Sequence, residues 1–576
     1  MDHLKKEYGN FPPIDVWCVT KEDSCHNSTW TFTEFHRFPE ATNWTLEDDG
    51  ILKPKPEAKN KKLAKLLQSW LFFGLIYTII QKNGERLLKL HDLIREPHDL
   101  LQEPHKKLID TSKLTGKLQE WADWETAPDR NVDDVQMRMI RIALVLDKAR
   151  KVVRRYCSYA ENERDMYSRD PENDSYMSDE AALSLMVLGE TISAVNSKIM
   201  QKIEERVPRV AGWHSDDNSG WGQPLYAIMK MRQEGWCPRN VHLLKRQLGS
   251  QATMLLTAYF SHRNSTQLDK TRHKQCTTAI CHVKLGSTTA NGDESEYTTA
   301  HHDTTCPEDS RERKACEEAG PDGPEIRDVE SILRQDDQSF PLLQFEDSNN
   351  SVKLKVIAGN KEEKYATISH VWSDGYGNET SNKLFKCQLR FIRRLLGKAS
   401  GSQTIPFWMD TLVIPVGRTH TSAKAEKKKA IHQIHTLFKN SQYSIVLDKG
   451  LVNMSPGEPC QTAVKLLASG WMRRLWTLQE AFLSNKLKIA FHDQDDVNPL
   501  KDFEELRTQV QRQADIDTSV IASLVDDEMS HSIMWDDKAM LNEEQLGNNA
   551  LWSRSTVVAN SWRAARWRVS IPIQYY

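Results

Sequence analysis

The strongest constraint on the fold is a change of hydrophobic pattern along the chain. Between about residues 61 and 261 apolar residues recur at helical spacing, whereas after about residue 350 short β-branched and aromatic runs alternate with helical segments. Alternating strands and helices are typical of a parallel sheet covered by helices. The pattern therefore predicts an α+β multidomain chain, in which a mostly α-helical N-terminal region precedes an α/β domain with a parallel sheet.

Two helices of the N-terminal region have recognisable start signals. Asn131 and Ser178 are each expected to be an N-cap, because their short side chains can accept a hydrogen bond from the first turn. The expected buried faces are formed by Val135, Met139, Ile142, Leu146 and Val153 in the first helix, and by Leu185, Leu188, Ile192, Val195 and Ile199 in the second.

The longest apolar run, residues 66–80, is predicted to be a buried core helix. Gln68 and Ser69 interrupt it, and it is shorter than the roughly 20 residues that a bilayer span needs. Four later runs are predicted strands, at 365–372, 405–414, 443–447 and 487–491.

A chain of 576 residues favours two or three domains. Changes in composition suggest these boundaries: an irregular N-terminal arm (1–60), an α-helical domain (61–261), a loop-rich linker (262–349), an α/β domain (350–495) and a helical or irregular C-terminal tail (496–576). The tail ends in a basic, aromatic segment and is expected to be the product of a truncated or mis-spliced gene.

The charge balance gives no general indication of a nucleic-acid or membrane partner. Lys and Arg number 77 against 80 Asp and Glu, a formal net charge of −3. The polar N-terminus lacks the apolar stretch of a secretory signal. A cytoplasmic protein without a membrane span is therefore expected.

The predicted linker contains a candidate zinc site. Three thiols and one imidazole could complete a tetrahedral Cys₃His site in a stretch otherwise too polar to pack, and these predicted ligands are Cys276, Cys281, His302 and Cys306. The alternative is a reduced loop whose cysteines bind nothing.

Three sequence blocks follow one another in the α/β region. They are Tyr365-Ala-Thr-Ile-Ser-His-Val-Trp-Ser-Asp-Gly375, Phe407-Trp-Met-Asp-Thr411 and Arg473-Arg-Leu-Trp-Thr-Leu-Gln-Glu480. Together they resemble the fungal heterokaryon-incompatibility (HET) domain, whose blocks read roughly Y-x-x-[LI]-S-[HY]-x-W, W-[IM]-D-x-[LI] and R-x-W-x-x-Q-E. Family members often continue the second block with Cys-Ile-Asn-Gln, where this chain has Val413-Ile-Pro-Val416.

The HET resemblance implies both a fold and a function. HET domains are regarded as distant relatives of TIR domains, so a TIR-like sheet is expected, together with a role in fungal non-self recognition and regulated cell death. Many NAD-cleaving TIR domains carry their catalytic Glu four residues after a Trp, and Trp476 precedes Glu480 by four. The resemblance thus implies Glu480 as the catalytic residue of NAD cleavage.

A non-enzymatic alternative remains open at this stage. The chain could be a signalling adaptor that acts through self-association or through another incompatibility protein. Glu480 would then be a surface residue or form a salt bridge with Arg473 or Arg474, with Trp476 in the core.

Side chains at the carboxyl ends of parallel strands line a crevice, which makes them candidates for substrate contact. The resulting candidates are Ser369, His370, Trp372, Asp374 and Asp410, with Arg473 and Arg474 expected to pair with a phosphate of the dinucleotide and Trp476 to form an aromatic wall. A Ser-His-Asp hydrolase formed by Ser369, His370 and Asp410 is disfavoured, because adjacent strand residues point to opposite faces.

Overall fold

The computed structural model describes residues 14–20, 30–56, 62–97, 107–158, 177–206, 220–260, 275–280, 316–321, 324–335, 338–346, 352–378, 381–401, 405–416, 421–473, 475–492, 499–516, 522, 524–526 and 529. The chain divides into two compact units. The helical unit comprises Met1–Glu234, Leu244–Tyr259 and Val510–Glu528, and the sheet unit comprises Gly235–Leu243, Phe260–Gln509 and Met529–Tyr576. Each is described separately.

The helical unit contains helices and three short antiparallel strand pairs. The helices are α1 (Phe32–Ala41), α2 (Leu63–Leu67), α3 (Leu75–Ile79), α4 (Leu90–Leu93), α5 (Leu114–Glu125), α6 (Val132–Cys157), α7 (Asp179–Glu204), α8 (Leu225–Gln233) and α10 (Gln251–Phe260), whereas α9 (Pro238–Gln247) contributes residues to both units. The strand pairs are β1 (Trp44–Leu46) with β2 (Leu52–Pro54), β3 (Gln81–Lys82) with β4 (Glu85–Arg86), and β5 (Ile94–Arg95) with β6 (Leu108–Ile109).

The two predicted helix starts are confirmed. The Asn131 side chain accepts a hydrogen bond from the Asp134 N–H (3.1 Å), and the Ser178 hydroxyl accepts one from the Ala181 N–H (3.2 Å). Helices α6 and α7 pack against each other. Every apolar position predicted for their inner faces is buried.

The apolar run at 66–80 is a buried helix, as predicted, but its middle is a π-helical turn over Gln68–Gly74. The buried amide of Gln68 bonds to an extended segment near the N-terminus: Nε2 donates to the Trp17 carbonyl (2.9 Å), and Oε1 accepts from the Val19 N–H (2.8 Å). No helix in the described part of the chain is long and apolar enough to cross a membrane.

The segment predicted as an irregular arm, residues 1–60, contains α1, β1 and β2. Thr31 and Glu34 form a capping box: the Thr31 hydroxyl accepts from the Glu34 N–H (3.3 Å), and the Glu34 carboxylate accepts from the Thr31 N–H (2.7 Å). Trp30 and Phe35 are fully buried in the core of the helical unit. A local capping signal was therefore overlooked at the sequence level.

The sheet unit is built around seven strands. They are β8 (Phe340–Phe345), β9 (Leu354–Gly359), β10 (Ala366–His370), β12 (Phe407–Trp408), β13 (Tyr443–Leu447), β14 (Leu487–Ala490) and β15 (Leu500–Asp502), in the order β15-β14-β13-β10-β12-β8-β9. The four central strands β14, β13, β10 and β12 are parallel, while β15, β8 and β9 are antiparallel to their neighbours. A separate pair joins β7 (Glu318–Ala319) and β11 (Leu384–Phe385).

Helices accompany these strands along the chain. They are α11 (Pro324–Gln335), α12 (Lys386–Ser400), α13 (Asp410–Val413), α14 (Thr421–Asn440), α15 (Lys449–Val452), α16 (Pro459–Leu467), α17 (Leu475–Leu483) and α18 (Phe503–Ile516), the last of which contributes residues to both units. Helix α11 and strand β8 both lie within the range predicted as a linker, and Ile326, Val329 and Leu333 of α11 and most residues of β8 belong to the core of the sheet unit. The general α+β class is therefore correct.

The predicted strand at 405–414 is wrong in its second half. Strand β12 ends at Trp408, and α13 begins at Asp410. The Asp410 carboxylate accepts a hydrogen bond from the Thr411 N–H (2.6 Å), and its carbonyl accepts one from the Ile414 N–H (2.9 Å). These bonds favour a helical turn over the extended form that the β-branched residues prefer.

Candidate functional site

The central strand β10 brings the first and third sequence blocks into contact. Ser369, the penultimate residue of β10, donates a hydrogen bond from its hydroxyl to the Glu480 carboxylate on α17. The same hydroxyl accepts a hydrogen bond from the indole N–H of Trp471 (2.7 Å). Ser369 and Trp471 are buried, whereas Glu480 is partly exposed. Glu480 is therefore held at the carboxyl end of a central parallel strand and remains accessible.

A row of hydroxyl groups ties α17 to the sheet beneath it. The Ser484 hydroxyl donates to the Glu480 carbonyl (2.6 Å) and is also hydrogen bonded to Ser444 (2.6 Å), which in turn contacts Thr367 (2.5 Å). Because each hydroxyl has one proton and that of Ser484 is committed to Glu480, Ser444 donates to Ser484 and accepts from Thr367, whose contact with the Ser441 hydroxyl is the longer of its two (3.4 Å). The protons thus run in one direction, from strand β10 to the helix that carries Glu480.

The second block meets the first at Asp410. The Asp410 carboxylate contacts His370 Nε2 (2.6 Å) and accepts hydrogen bonds from the Trp372 indole N–H (2.7 Å) and the Thr411 N–H (2.6 Å). Burial alone would raise the pKa of Asp410, but the attraction of His370 and the three hydrogen bonds outweigh it and hold the pKa below its ordinary value. The Asp410 side chain is 25% exposed and that of His370 only 2%. Asp410 is thus an ionised group that still faces solvent.

Ser369 and His370 are neighbours on one strand and have different partners. Side chains of successive strand residues point to opposite faces, which matches the contacts of Ser369 with Glu480 and of His370 with Asp410. The predicted site residues accordingly form two clusters, one on each face of β10. Among the described hydrogen bonds none links Ser369 to His370, so the contacts do not form a Ser-His-Asp relay.

Asp374 occupies a loop that supports the site. It ends the 3₁₀ turn Trp372–Asp374, and its carboxylate accepts from the Lys449 N–H at the start of α15 (3.0 Å). The next glycine, Gly375, has φ of 97°, a conformation that favours glycine. The adjacent Asp448 accepts from the Trp471 N–H (2.9 Å). These bonds position the loops that carry the two clusters.

Several predicted site residues lie outside the described part of the structure. For the dinucleotide contacts these are the side chains of Arg473 and Trp476 and all of Arg474; for the zinc site they are Cys281, His302 and Cys306. Cys276 is described and buried, and it packs against Cys237. In the described residues no group of three or more His, Cys, Asp or Glu side chains could hold a metal ion. The zinc site stays a prediction.

Sequence reasoning missed three participants in these contacts. Trp471 lies just before the third block, Thr411 is the last residue of the second block, and Cys237 lies in the segment Gly235-Trp-Cys-Pro238. Only Thr411 had a signal in the sequence, as a member of the second block. Comparison of the chain with family models, curated proteins and solved structures found no match.

Proposed function

We propose that the chain is a HET-domain effector of fungal non-self recognition and regulated cell death, and that its sheet unit cleaves NAD at the nicotinamide–ribose bond. The observation that carries the proposal is the position of Glu480, a partly exposed carboxylate held by Ser369 at the carboxyl end of central strand β10. This is the edge of a parallel sheet at which ligands of open α/β sheets bind. The convergence of the three sequence blocks on β10 gives further support.

Cleavage of the nicotinamide–ribose bond builds positive charge on the ribose as the bond lengthens. A fixed carboxylate stabilises that charge or holds a ribose hydroxyl, as in glycosidases. Nicotinamide leaves as a neutral molecule with the electron pair of the broken bond, so no general acid is required and one carboxylate is sufficient. Water forms the new bond to the ribose carbon and releases a proton, which leaves ADP-ribose as the second product. In this mechanism Ser369 is a positioning residue, whose O–H fixes the direction of the Glu480 carboxylate.

The test compares NAD turnover by the full chain and by Glu480→Gln, under conditions that allow oligomers to form. Gln keeps the shape of the side chain and an oxygen that can accept from Ser369, but it lacks the charge. We expect nicotinamide release to fall by about 10²- to 10³-fold, the usual effect of removing one group that stabilises charge in the transition state. Glu458→Gln, which changes an exposed carboxylate before α16, is the matched control and should be unaffected.

A non-enzymatic adaptor is the second candidate, and one observation favours it. The Ser369–Glu480 hydrogen bond and the hydroxyl row also fasten α17 to the sheet, which is a sufficient structural reason for a carboxylate at this position. The adaptor would act by self-association or by binding another incompatibility protein. If an assembled wild-type protein leaves NAD intact, the adaptor reading stands; if Glu480→Gln turns over NAD at the wild-type rate, the role assigned to Glu480 is wrong.

A further inference from the structure

A cavity of about 520 Å³ lies in the helical unit. It is lined by residues of α3, β4, α4 and β5 and by residues that flank α4, β5 and β6. All of these residues belong to the helical unit and to the described part of the chain. Sites for small organic ligands usually have volumes of about 300–1,000 Å³. The cavity is therefore large enough for an organic molecule.

One part of the lining is apolar and is formed by Tyr77, Leu90 and Ile94. Tyr77 and Leu90 belong to the core of the helical unit, and Ile94 packs against that core. The guanidinium of Arg86 lies over the Tyr77 ring, 4.6 Å from the ring centroid. This cation–π contact holds the guanidinium at the wall. The cavity thus has an apolar wall built from core residues, with a cation fixed beside it.

The rest of the lining is strongly basic. Its cationic side chains are Arg86, Lys89, Arg95 and Lys107, and its one carboxylate is Glu96. With histidine counted as neutral, four positive charges minus one negative charge leave an excess of three, in a chain whose formal net charge is −3. The Glu96 carboxylate lies 4.0 Å from the Lys107 ammonium, and an ion pair between such exposed groups neutralises little. The cavity is therefore suited to a ligand with several negative charges.

Two of these cations have bonding capacity that the described residues do not use. Lys89 is exposed, and its ammonium forms no ion pair with another described residue. Arg95 Nη2 donates to the Asp15 carboxylate (2.8 Å), whereas Arg95 Nη1 is buried and has no hydrogen-bond partner in the same part of the chain. A buried donor without an acceptor is costly. An anion bound in the cavity that Arg95 lines would supply that acceptor.

We propose that the cavity binds a nucleotide, with the phosphate groups at the basic lining and the base against the apolar wall. Arg and Lys are the side chains that bind phosphate, and Arg can hold two phosphate oxygens at once. Linked phosphates balance the excess charge of the lining, which a single carboxylate does not. A flat base suits the wall, because guanidinium groups stack on flat rings. The proposal is independent of NAD cleavage, which is assigned to the sheet unit.

The experiment measures ADP binding to the purified full chain by calorimetry and locates the bound ADP by hydrogen exchange. We expect saturable binding and slower exchange in peptides that cover residues 77–96 and 107–109, because these segments line the cavity. Affinity should fall as salt is raised from about 0.1 to 1 M, since the screening length falls from about 10 to 3 Å. ADP should bind at least about tenfold more tightly than pyrophosphate, which lacks the organic part, and than adenosine, which lacks the charge.

Charge reversal at the lining tests the role of the cations. Lys89→Glu and Lys107→Glu should each weaken ADP binding at least about tenfold, the usual cost of losing a charge-assisted hydrogen bond. Lys65→Glu is the matched control, since it makes the same change of charge at an exposed lysine of α2 outside the lining, and it should bind ADP as the wild type does. Hydrogen exchange of α6 and α7 without ligand shows whether each variant is folded. If Lys89→Glu is not, Lys89→Gln replaces it and should weaken binding by a smaller factor.

The proposal is overturned if the wild type shows no saturable binding up to about 1 mM ADP, or if ADP slows exchange only in the sheet unit. It is equally overturned if either charge reversal leaves the affinity of a folded variant unchanged. Pyrophosphate bound as tightly as ADP would show that the apolar wall contributes nothing, and adenosine bound as tightly would show that the cations contribute nothing. Either result contradicts a nucleotide site, and none of these outcomes affects the test of Glu480.

Discussion

Replacing Ser369 by Ala removes the hydroxyl that accepts from Trp471 and donates to Glu480. The Trp471 side chain is 1% exposed, so its N–H is left without an acceptor, which costs about 1–3 kcal/mol. Glu480 is partly exposed and can recover a bond from water, so that loss is smaller, about 0.5–1 kcal/mol. We expect Ser369→Ala to lower the free energy of unfolding of the sheet unit by the sum of these contributions, about 1.5–4 kcal/mol.

A double-mutant cycle with Trp471→Phe separates these contributions. Phe has no N–H, so Ser369→Ala no longer strands a buried donor and should cost only about 1 kcal/mol in that background. The expected coupling between the two residues is the penalty of the stranded N–H, about 1–3 kcal/mol. Since the chain has two units and need not unfold in one transition, the assay is hydrogen exchange of β10 peptides as denaturant is added. Effects that add to within about 0.5 kcal/mol would refute the proposed network.

Three other perturbations follow from buried polar groups and close packing. Asp410→Asn should destabilise the sheet unit by about 1–3 kcal/mol at neutral pH. Because the folded-state pKa of Asp410 lies below its ordinary value of 3.8, this stabilisation is complete above pH 3.8 and is lost as the pH falls through the folded-state pKa. In parallel acid titrations the stabilities of wild type and variant should therefore converge below pH 3.8, and a constant difference would contradict the assignment. The buried Glu190 carboxylate accepts hydrogen bonds from a hydroxyl and two backbone N–H groups at the start of α10 (2.6–3.1 Å). Glu190→Gln turns an NH₂ group towards these donors and should lower the free energy of unfolding of the helical unit by about 2–4 kcal/mol. The loss should be measurable as faster hydrogen exchange in α10, and unchanged protection would contradict it. In Gly74→Ala the new methyl group would overlap the ring of the buried Trp30. We expect the free energy of unfolding of the helical unit, measured by thermal unfolding, to fall by about 1–3 kcal/mol. A transition identical to that of the wild type would show that the ring can move aside.

Local signals in the sequence were sufficient for elements whose stability is mostly local. Strand β13 coincides with the predicted segment, because five successive residues there suit a strand buried on both faces. Helices α6 and α7 begin where Asn131 and Ser178 provide caps, since capping depends only on residues within one turn. By contrast, the residues of α13 were predicted to form a strand, because several of them are β-branched. Their helical conformation depends instead on the hydrogen bonds of Asp410.

The candidate site was predictable in its members but not in its pairing. Ser369 and Glu480 are 111 residues apart, and no periodicity relates residues at that distance. The division of the predicted residues into two clusters did follow from a local rule, the alternation of side chains along β10. Trp471 could not be found in this way, because its bond joins it to Ser369, 102 residues earlier in the chain.

The hydrogen bonds of the Gln68 amide limit the substitutions that the N-terminal region can accept. The amide donates to the carbonyl of Trp17 and accepts from the N–H of Val19, the same exchange by which one strand pairs with another, and its oxygen also accepts from the Thr20 hydroxyl (3.2 Å). The side chains of Trp17 and Val19 are 38% and 40% exposed and take no part in this pairing. Related chains could therefore diverge freely at position 19, with proline as the exception because it lacks the N–H, whereas at position 68 only a side chain that both donates and accepts would preserve the contact.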